Sequence, residues 1–304
     1  MFFNGFFLTI PVSLEQGLAY AMVTLGIVLT FRILSFPDLT VDGSFPLGAA
    51  VTARLLSLNV SPLLSILIAV LAGFVAGCLT GILNTRLKIN SLLSGILMMT
   101  ILYSVNLRIM ARSNIQLLTV DTLLTPLENL AMNRFIPMIL FFLLVVFALK
   151  VMMDLFLHTQ LGFAMRATGD NEQMIRTLGV NTDNITILGL GISNAFVALS
   201  GSLVAQDQGF ADVGMGIGII VIGLASIIIG ESLVGVRAGK KTVMRLTLAA
   251  IVGSIAYKFI ISLGLRMGLA PTDLKLATGV MVILALGIPA IKGKKETKLN
   301  LRGI

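Results

Sequence analysis

Three stretches of this chain place reactive or polar residue types close together in otherwise apolar surroundings. The first, FPDLTVDGSFPLG (36–48), carries two Pro, two Asp and two Gly. Asp38 and Asp42 could receive an ammonium group. The amides freed by the break, and a helix restarting near Ser44, could bind an anionic one. Its plainer reading is a turn with helix-capping carboxylates. The second, AQDQGFADVGMG (205–216), brings together Gln206, Asp207, Gln208 and Asp212, with a solvated loop as its plainer reading. The third, HTQLGFAMRATGDNEQMIRTLGVNTD (158–183), is long enough for a short helix across a membrane face. Covalent and metal chemistry find little support. The single cysteine, Cys78, excludes an internal disulfide and a Cys-based cluster, and the single histidine, His158, argues against a multi-histidine metal site. No G-x-x-x-x-G-K-[ST] phosphate loop occurs, so this chain does not hydrolyse ATP through that machinery.

The elements that must position these residues are membrane helices. The chain has 304 residues, 57% of them hydrophobic and only 12% charged, against roughly 25% charged in soluble domains. So few charges cannot cover that much apolar surface in water, and the solvent must be lipid. Apolar runs near the length of a bilayer crossing recur along the chain and leave no polar block for a soluble domain. The start, MFFNGFFLTIPVS, has no Lys or Arg and no small-residue cleavage pattern, so no signal peptide is expected. The expected fold is an all-α polytopic membrane protein. Its nine spans are about 14–34, 44–57, 62–83, 92–110, 135–157, 183–206, 214–230, 242–263 and 274–291. The second and seventh are short and rich in Gly or Pro.

The formal charge of +8 marks a membrane orientation rather than nucleic-acid binding. Strict alternation with the carboxyl tail KGKKETKLNLR in the cytoplasm places fifteen of the 22 Lys and Arg inside. It leaves seven outside: Arg54, Arg108, Arg112, Arg134, Lys258, Arg266 and Lys275. That asymmetry is the positive-inside pattern. The single domain then divides into repeat one (about 14–110), a linking span (135–157), a cytoplasmic loop (158–182), repeat two (183–291) and a basic tail (292–304). One span separates the repeats, so their topologies are inverted, as in many transporters. VDGSFPLGAAV (41–51) aligns with ADVGMGIGIIV (211–221), pairing Asp42 with Asp212 and Gly48 with Gly218. Gly73, Gly77 and Gly81 put a small residue at every fourth position of the third span, on one face, where another backbone can approach. That face packs either within the monomer or on a partner.

In the 158–183 loop, Gly169-Asp170-Asn171 supplies a break and a cap, and NEQMIRTLG runs as one or two turns ending at Gly179. Met174, Ile175 and Leu178 lie beside Arg166, Glu172 and Arg176, which makes an amphipathic knob for a groove on a partner protein. The alternative is a helix lying on the membrane.

These residues carry a resemblance. GFAMRATGDNEQMIRTLGVN (162–181) resembles the cytoplasmic coupling segment of permeases in the branched-chain amino acid and simple-sugar group of ABC importers. An RA-x-G-x-N core precedes a short helix in that group, and Arg166, Ala167, Gly169, Asn171 and Gly179 match it. LTFRILSFPDLTVDGSFPLGAAVTA (29–53) is closer still to a little-characterised subgroup linked to aromatic amino acid uptake. The branched-chain members' NFAHG-like version of this block is absent. The resemblance spans about 14–290 and implies a transport subunit of the bacterial inner membrane, not an enzyme. It implies two cytoplasmic ATPase subunits, which hold the ATP and Mg, a second permease copy and an extracytoplasmic substrate-binding protein, within membrane lipid. A coupling role then falls on 166–179, including Asp170, while the Gly- and Pro-interrupted helices at corresponding places of the two halves give a pathway role to Asp38, Asp42, Ser44, Gln206, Asp207 and Asp212. The rival is a secondary transporter driven by an ion gradient, which normally carries an embedded carboxylate. Acidic residues here gather at the span ends.

Overall fold

The computed structural model describes residues 2–128, 135–235, 243–266, 268, 273, 276 and 278–280. Helix α1 (Phe2–Ile27) tolerates Pro11 and runs on into a π-helical turn, Val28–Ile33. There the Leu34 amide donates to the Leu29 carbonyl, five residues back, the insertion that marks many functional sites. Next come α2 (Val41–Ser57), α3 (Pro62–Thr85) and α4 (Ser91–Met110). Pro62 opens α3, where its missing N–H costs nothing. The Asn90 side chain caps α4 by accepting from the Leu92 amide at 3.0 Å.

A short strand β1 (Asn114–Gln116), one turn α5 (Thr125–Glu128) and the long apolar α6 (Phe135–Leu157) follow. Then come α7 (Gln160–Asp170), α8 (Glu172–Thr177), α9 (Thr182–Gln208) and strand β2 (Phe210–Asp212). A 3-10 turn (Val213–Gly216), α10 (Ile219–Val234) and α11 (Val243–Arg266) follow. The chain is therefore helical as expected, save that β1 and β2 pair antiparallel with Ile115 opposite Ala211. That ladder fixes the ends of α4 and α9 to the same end of the molecule.

Among the described residues, seven segments are long and apolar enough to cross a membrane: Thr9–Ile33, Pro62–Thr85, Ser91–Met110, Phe135–Leu157, Thr182–Gln208, Val213–Val234 and Val243–Arg266. The chain is a multi-pass membrane protein. Of the nine expected spans, the second is the 17-residue α2, about 25 Å at the helical rise and, at that length, not among these seven. It is also enclosed, with thirteen residues buried. The ninth, 274–291, and the basic tail lie mostly or wholly outside the described residues.

α1 and α9 form the centre, each about 78% buried over its apolar window, whereas α6 is 17% buried there and presents Leu and Phe outward. Lipid tails are as apolar as Leu, so helix association must come from close packing and hydrogen bonds. Both are visible. The Gly73, Gly77 and Gly81 stripe of α3 lies against α9, the most extensive helix pair in the fold. A Cβ on Gly77 would sit 2.1 Å from the Leu190 carbonyl oxygen. Of the two readings of that stripe, packing within the monomer is the observed one. Hydroxyls add cross-links: Ser193 donates to the Gly26 carbonyl, Ser200 to Ala19 and Ser254 to Gly17, each at 2.7–2.8 Å.

Candidate functional site

Two helices start inside the bundle, and their N-termini meet. α2 begins at Val41, where Gly43 packs on Met99 and Leu102 in the middle of α4. α10 begins at Ile219, after the 3-10 turn has carried the chain back from the β1–β2 end. Four orphan amides open any helix, and inside a membrane they need partners. The Asp42 carboxylate supplies them for α10. Its Oδ2 accepts from the Gly218 amide at 3.0 Å and its Oδ1 from the Ile220 amide at 2.8 Å. The positive end of the α10 dipole thus faces a carboxylate. Pro46, one turn on, lacks the N–H that would bond the Asp42 carbonyl. Gly216 lies against that carbonyl, where a Cβ would come within 2.0 Å of the oxygen. Pro46 and Gly216 together let the two chain breaks touch.

Asp38 is fastened deeper. It is 1% exposed; its Oδ1 accepts from the Thr40 amide at 2.9 Å and its Oδ2 from Asn194 Nδ2 of α9 at 2.8 Å. The Thr40 hydroxyl contacts the Thr80 hydroxyl of α3 at 2.8 Å. Ser44 is fully buried and its Oγ has no hydrogen-bond partner among the described residues. The segment 36–44 is therefore no solvated turn. It is an interior junction of α2, α3, α9 and α10.

The second stretch behaves differently. Gln206 Oε1 accepts from the Leu123 amide at 2.9 Å, which holds the β1–α5 loop. Asp207 is half-buried and, like the Gln208 side chain, lies near Tyr20 of α1. Asp212 caps its own turn, its Oδ1 accepting from the Gly214 amide at 2.7 Å and its Oδ2 from Asn114 Nδ2 at 3.4 Å. The aligned residues Asp42 and Asp212 therefore do not occupy equivalent places. The element that meets α2 is the start of α10, some seven residues after Asp212.

The third stretch forms a bracket at the end of the molecule opposite the β1–β2 ladder. Thr159 caps α7, accepting from the Gly162 amide at 3.3 Å. The break between α7 and α8 falls at Asn171, whose Oδ1 caps α8 through the Met174 amide at 3.0 Å. Gly179, with φ of +84°, ends α8 in the left-handed conformation glycine allows. Gly169 serves another purpose than the expected break. It lies inside α7 and presses on the π-helical turn, where a Cβ would meet the Ile33 carbonyl oxygen at 1.8 Å.

Of the three expected apolar anchors, Met174 (59% exposed) and Leu178 (67%) face outward, while Ile175 (9%) turns inward. Leu161 and Phe163 of α7 are exposed as well. Arg166 lies over the Phe163 ring at 5.4 Å, Ala167 accepts the Asn171 amide, and Asp170 is exposed at the end of α7. Arg176 donates to Glu172 at 2.8 Å, Asp183 at 2.6 Å and Thr182 at 2.6 Å, tying α8 to α9.

Sequence reasoning missed several ties because their members are far apart in the chain. Asp154 of α6 accepts from the Thr247 hydroxyl of α11 and pairs with Lys150. Lys258 of α11 sits 3.4 Å over the Tyr20 ring. Arg32, closing the π-helical turn, pairs with Glu231 at the end of α10. Only the i,i+4 spacing of Lys150 and Asp154 was visible in advance.

Comparison with known proteins agrees with this architecture. The model of the branched-chain amino acid transport system / permease component family matches residues 11–286. A tyrosine transport system permease protein of Clostridioides difficile is 46% identical over 298 residues, covering 93% of this chain and 97% of its own. An uncharacterised protein of Rickettsia prowazekii is 36% identical over 274 residues, 90% of this chain and 95% of its own. An autoinducer 2 import system permease protein of Photorhabdus laumondii is 34% identical over 92 residues, 30% of this chain and 27% of its own. No solved structure matches the chain significantly. A bundle with broken helices at its centre, a helical bracket at one end and a family match across nearly its whole length makes this chain a member of the branched-chain amino acid transport system permease family.

Proposed function

We propose that this chain is the membrane-spanning permease of an ATP-driven importer for an amino acid-like solute, with an aromatic amino acid as the favoured cargo. The observation that carries the importer reading is the α7–α8 bracket. It is anchored through Gly169, Ile175 and Arg176, yet it exposes Leu161, Phe163, Met174 and Leu178 at an end of the molecule. Those side chains need a cover. In this reading it is an ATPase subunit holding ATP and Mg, and the lever it pushes is short: α7 through Gly169 onto the π-helical turn, and α8 through Arg176 onto α9. The near full-length relative named for tyrosine transport supports the cargo.

The same reading places the bracket and the basic tail in the cytoplasm of a bacterial inner membrane and the β1–β2 ladder outside. A separate binding protein delivers the solute there, and two permease copies form the working unit. The nine spans and the inverted repeats belong to this proposal. The meeting of an α2 that runs toward the ladder with an α10 that runs away from it supports them. The observation favouring an ion-driven carrier is the depth of Asp38 and Asp42.

Burying a Leu side chain contributes roughly 1.5–3 kcal/mol, and truncating a central anchor costs about 2 kcal/mol or more of binding. Leu178→Ala and Met174→Asp therefore should release the ATPase in co-purification and abolish solute-stimulated hydrolysis while the permease stays folded. If Met174→Asp retains its ATPase at wild-type levels, the bracket lies on lipid and the coupling assignment falls. Uptake that survives ATP depletion but not collapse of the ion gradient would favour the carrier.

A further inference from the structure

Beside the junction of α2 and α10 lies a cavity of about 250 Å³ between α2, α4 and the 213–217 segment. Pro46, Met99, Tyr103 and Ile217 give it mostly apolar walls, and Asp42, Thr100 and Asn106 bring polar groups to it. An apolar cavity of roughly 150 Å³ accepts benzene, so this one has room for a six-membered ring and its substituents. Tyr103 and Ile217 are 53% and 60% exposed, so the cavity wall reaches the surface of the described chain.

Two polar groups in the cavity have unused capacity. Asn106 is fully buried; its Nδ2 donates to the Gly43 carbonyl at 3.2 Å, and its Oδ1 has no partner among the described residues. A buried acceptor without a donor is unusual and can take a hydrogen bond from a guest. Each Asp42 oxygen accepts one backbone amide and has a second lone pair to offer. No Lys or Arg among the described residues forms an ion pair with Asp42.

We propose that this cavity is a transit site for an aromatic amino acid. The ammonium rests on Asp42, and the ring lies between Met99, Tyr103 and Ile217. A ring hydroxyl, where there is one, donates to Asn106 Oδ1. The proposal rests on the importer reading above and adds to it a residue-level account of selectivity. Thioether and ring edges suit an aromatic guest, and an otherwise unpaired acceptor favours a guest that brings a hydroxyl.

The test uses the permease reconstituted in liposomes with its ATPase and binding protein, and follows ATP-dependent uptake of radiolabelled L-tyrosine and L-phenylalanine. Met99→Trp fills the cavity and should lower uptake of both about tenfold. Asn106→Ala should lower the tyrosine-to-phenylalanine ratio about tenfold, because a site built around a hydroxyl loses its preference with the acceptor. A merely structural role for Asn106 would lower both amino acids alike. If Met99→Trp fails to assemble, the Asn106→Ala ratio decides alone. Wild-type uptake with an unchanged ratio in Asn106→Ala overturns the transit site and leaves the importer standing. Wild-type protein that imports neither amino acid overturns the aromatic cargo, and the transit site with it.

Discussion

The two Gly- and Asp-rich breaks, 36–48 and 205–216, look alike in composition and have become different objects. The first is bonded outward. Asp38 reaches α9, Thr40 reaches α3 and Asp42 reaches α10, at separations of 156, 40 and 176–178 residues. The second caps itself, with Asp212 accepting from Gly214 two residues on, and otherwise ties to the 113–123 loop rather than to another helix start. The difference is depth. Water can satisfy backbone groups at the molecule's end, so a local cap suffices there. At the level of mid-α4 every freed amide needs a protein partner, and the partner is another broken helix.

The largest expected contrast is between the glycines of the two stretches. A Cβ on Gly48 would lie 2.0 Å from the Ala198 carbonyl oxygen, backbone against backbone, with no flexible side chain to yield. A Cβ on Gly214 would meet only Asp212 Oδ1 at 3.1 Å and the Ile217 side chain at 3.7 Å. Gly48→Ala should thus force α2 off α9 at a cost of about 3 kcal/mol or more, seen as loss of a monodisperse peak in detergent. Gly214→Ala should purify normally. Equal behaviour of the two variants would erase the distinction between an interior junction and a surface turn.

Next in size is Asp42→Asn. The amide keeps the shape but offers an NH2 where one backbone amide now donates, and it removes the charge facing the α10 N-terminus. Hydrogen bonds to charged groups contribute roughly 1.5–3 kcal/mol, so the variant should melt several degrees lower and transport about tenfold more slowly. Its ATPase should still bind, because Asp42 bonds the start of α10 and not the α7–α8 bracket. Thermal melting and co-purification read the two effects separately. Unaltered transport would reduce Asp42 to a helix cap.

Helices and depth were legible in advance for different reasons. Continuous apolar runs such as 135–157 reveal a span because lipid tolerates nothing else. A break shows only that the helix stops, and Asp38 is written the same way whether it meets Asn194 or water. The glycine stripe of α3 announced a close approach but not which helix approaches. In the bracket, the caps at Asn171 and Gly179 were readable because capping is local. The inward turn of Ile175 was not, since it depends on how α8 tilts against α9. The 41–51 and 211–221 alignment failed for a similar reason. Identity at Asp42 and Asp212 recorded a shared composition, whereas the structural meeting point is set by where α10 starts. Within the described residues, Pro46 and Gly216 were the best available clue, one deleting a donor and the other a side chain at a place of contact.

The smallest effect sharpens the comparison most, because it asks whether Asp212 does anything beyond capping. Asp212 Oδ1 takes the Gly214 amide at 2.7 Å, and its other contact, from Asn114, is long at 3.4 Å. Asn and Asp are nearly equal as caps, and a rotated amide can present its oxygen to Gly214 as the carboxylate does. The Asn114 contact is then the only loss, and exposed side-chain pairs of that length contribute little. Asp212→Asn should therefore change stability by under about 0.5 kcal/mol and leave uptake within about twofold of wild type. Asp212→Ala removes the cap and should cost about 1 kcal/mol without changing which solutes are taken. Melting temperature and uptake, measured beside Asp42→Asn in the same liposomes, check both. A tenfold loss of uptake in Asp212→Asn with normal melting would mean that this carboxylate meets the solute at the molecule's end, and the 205–216 stretch would then count as a second polar station rather than a surface turn.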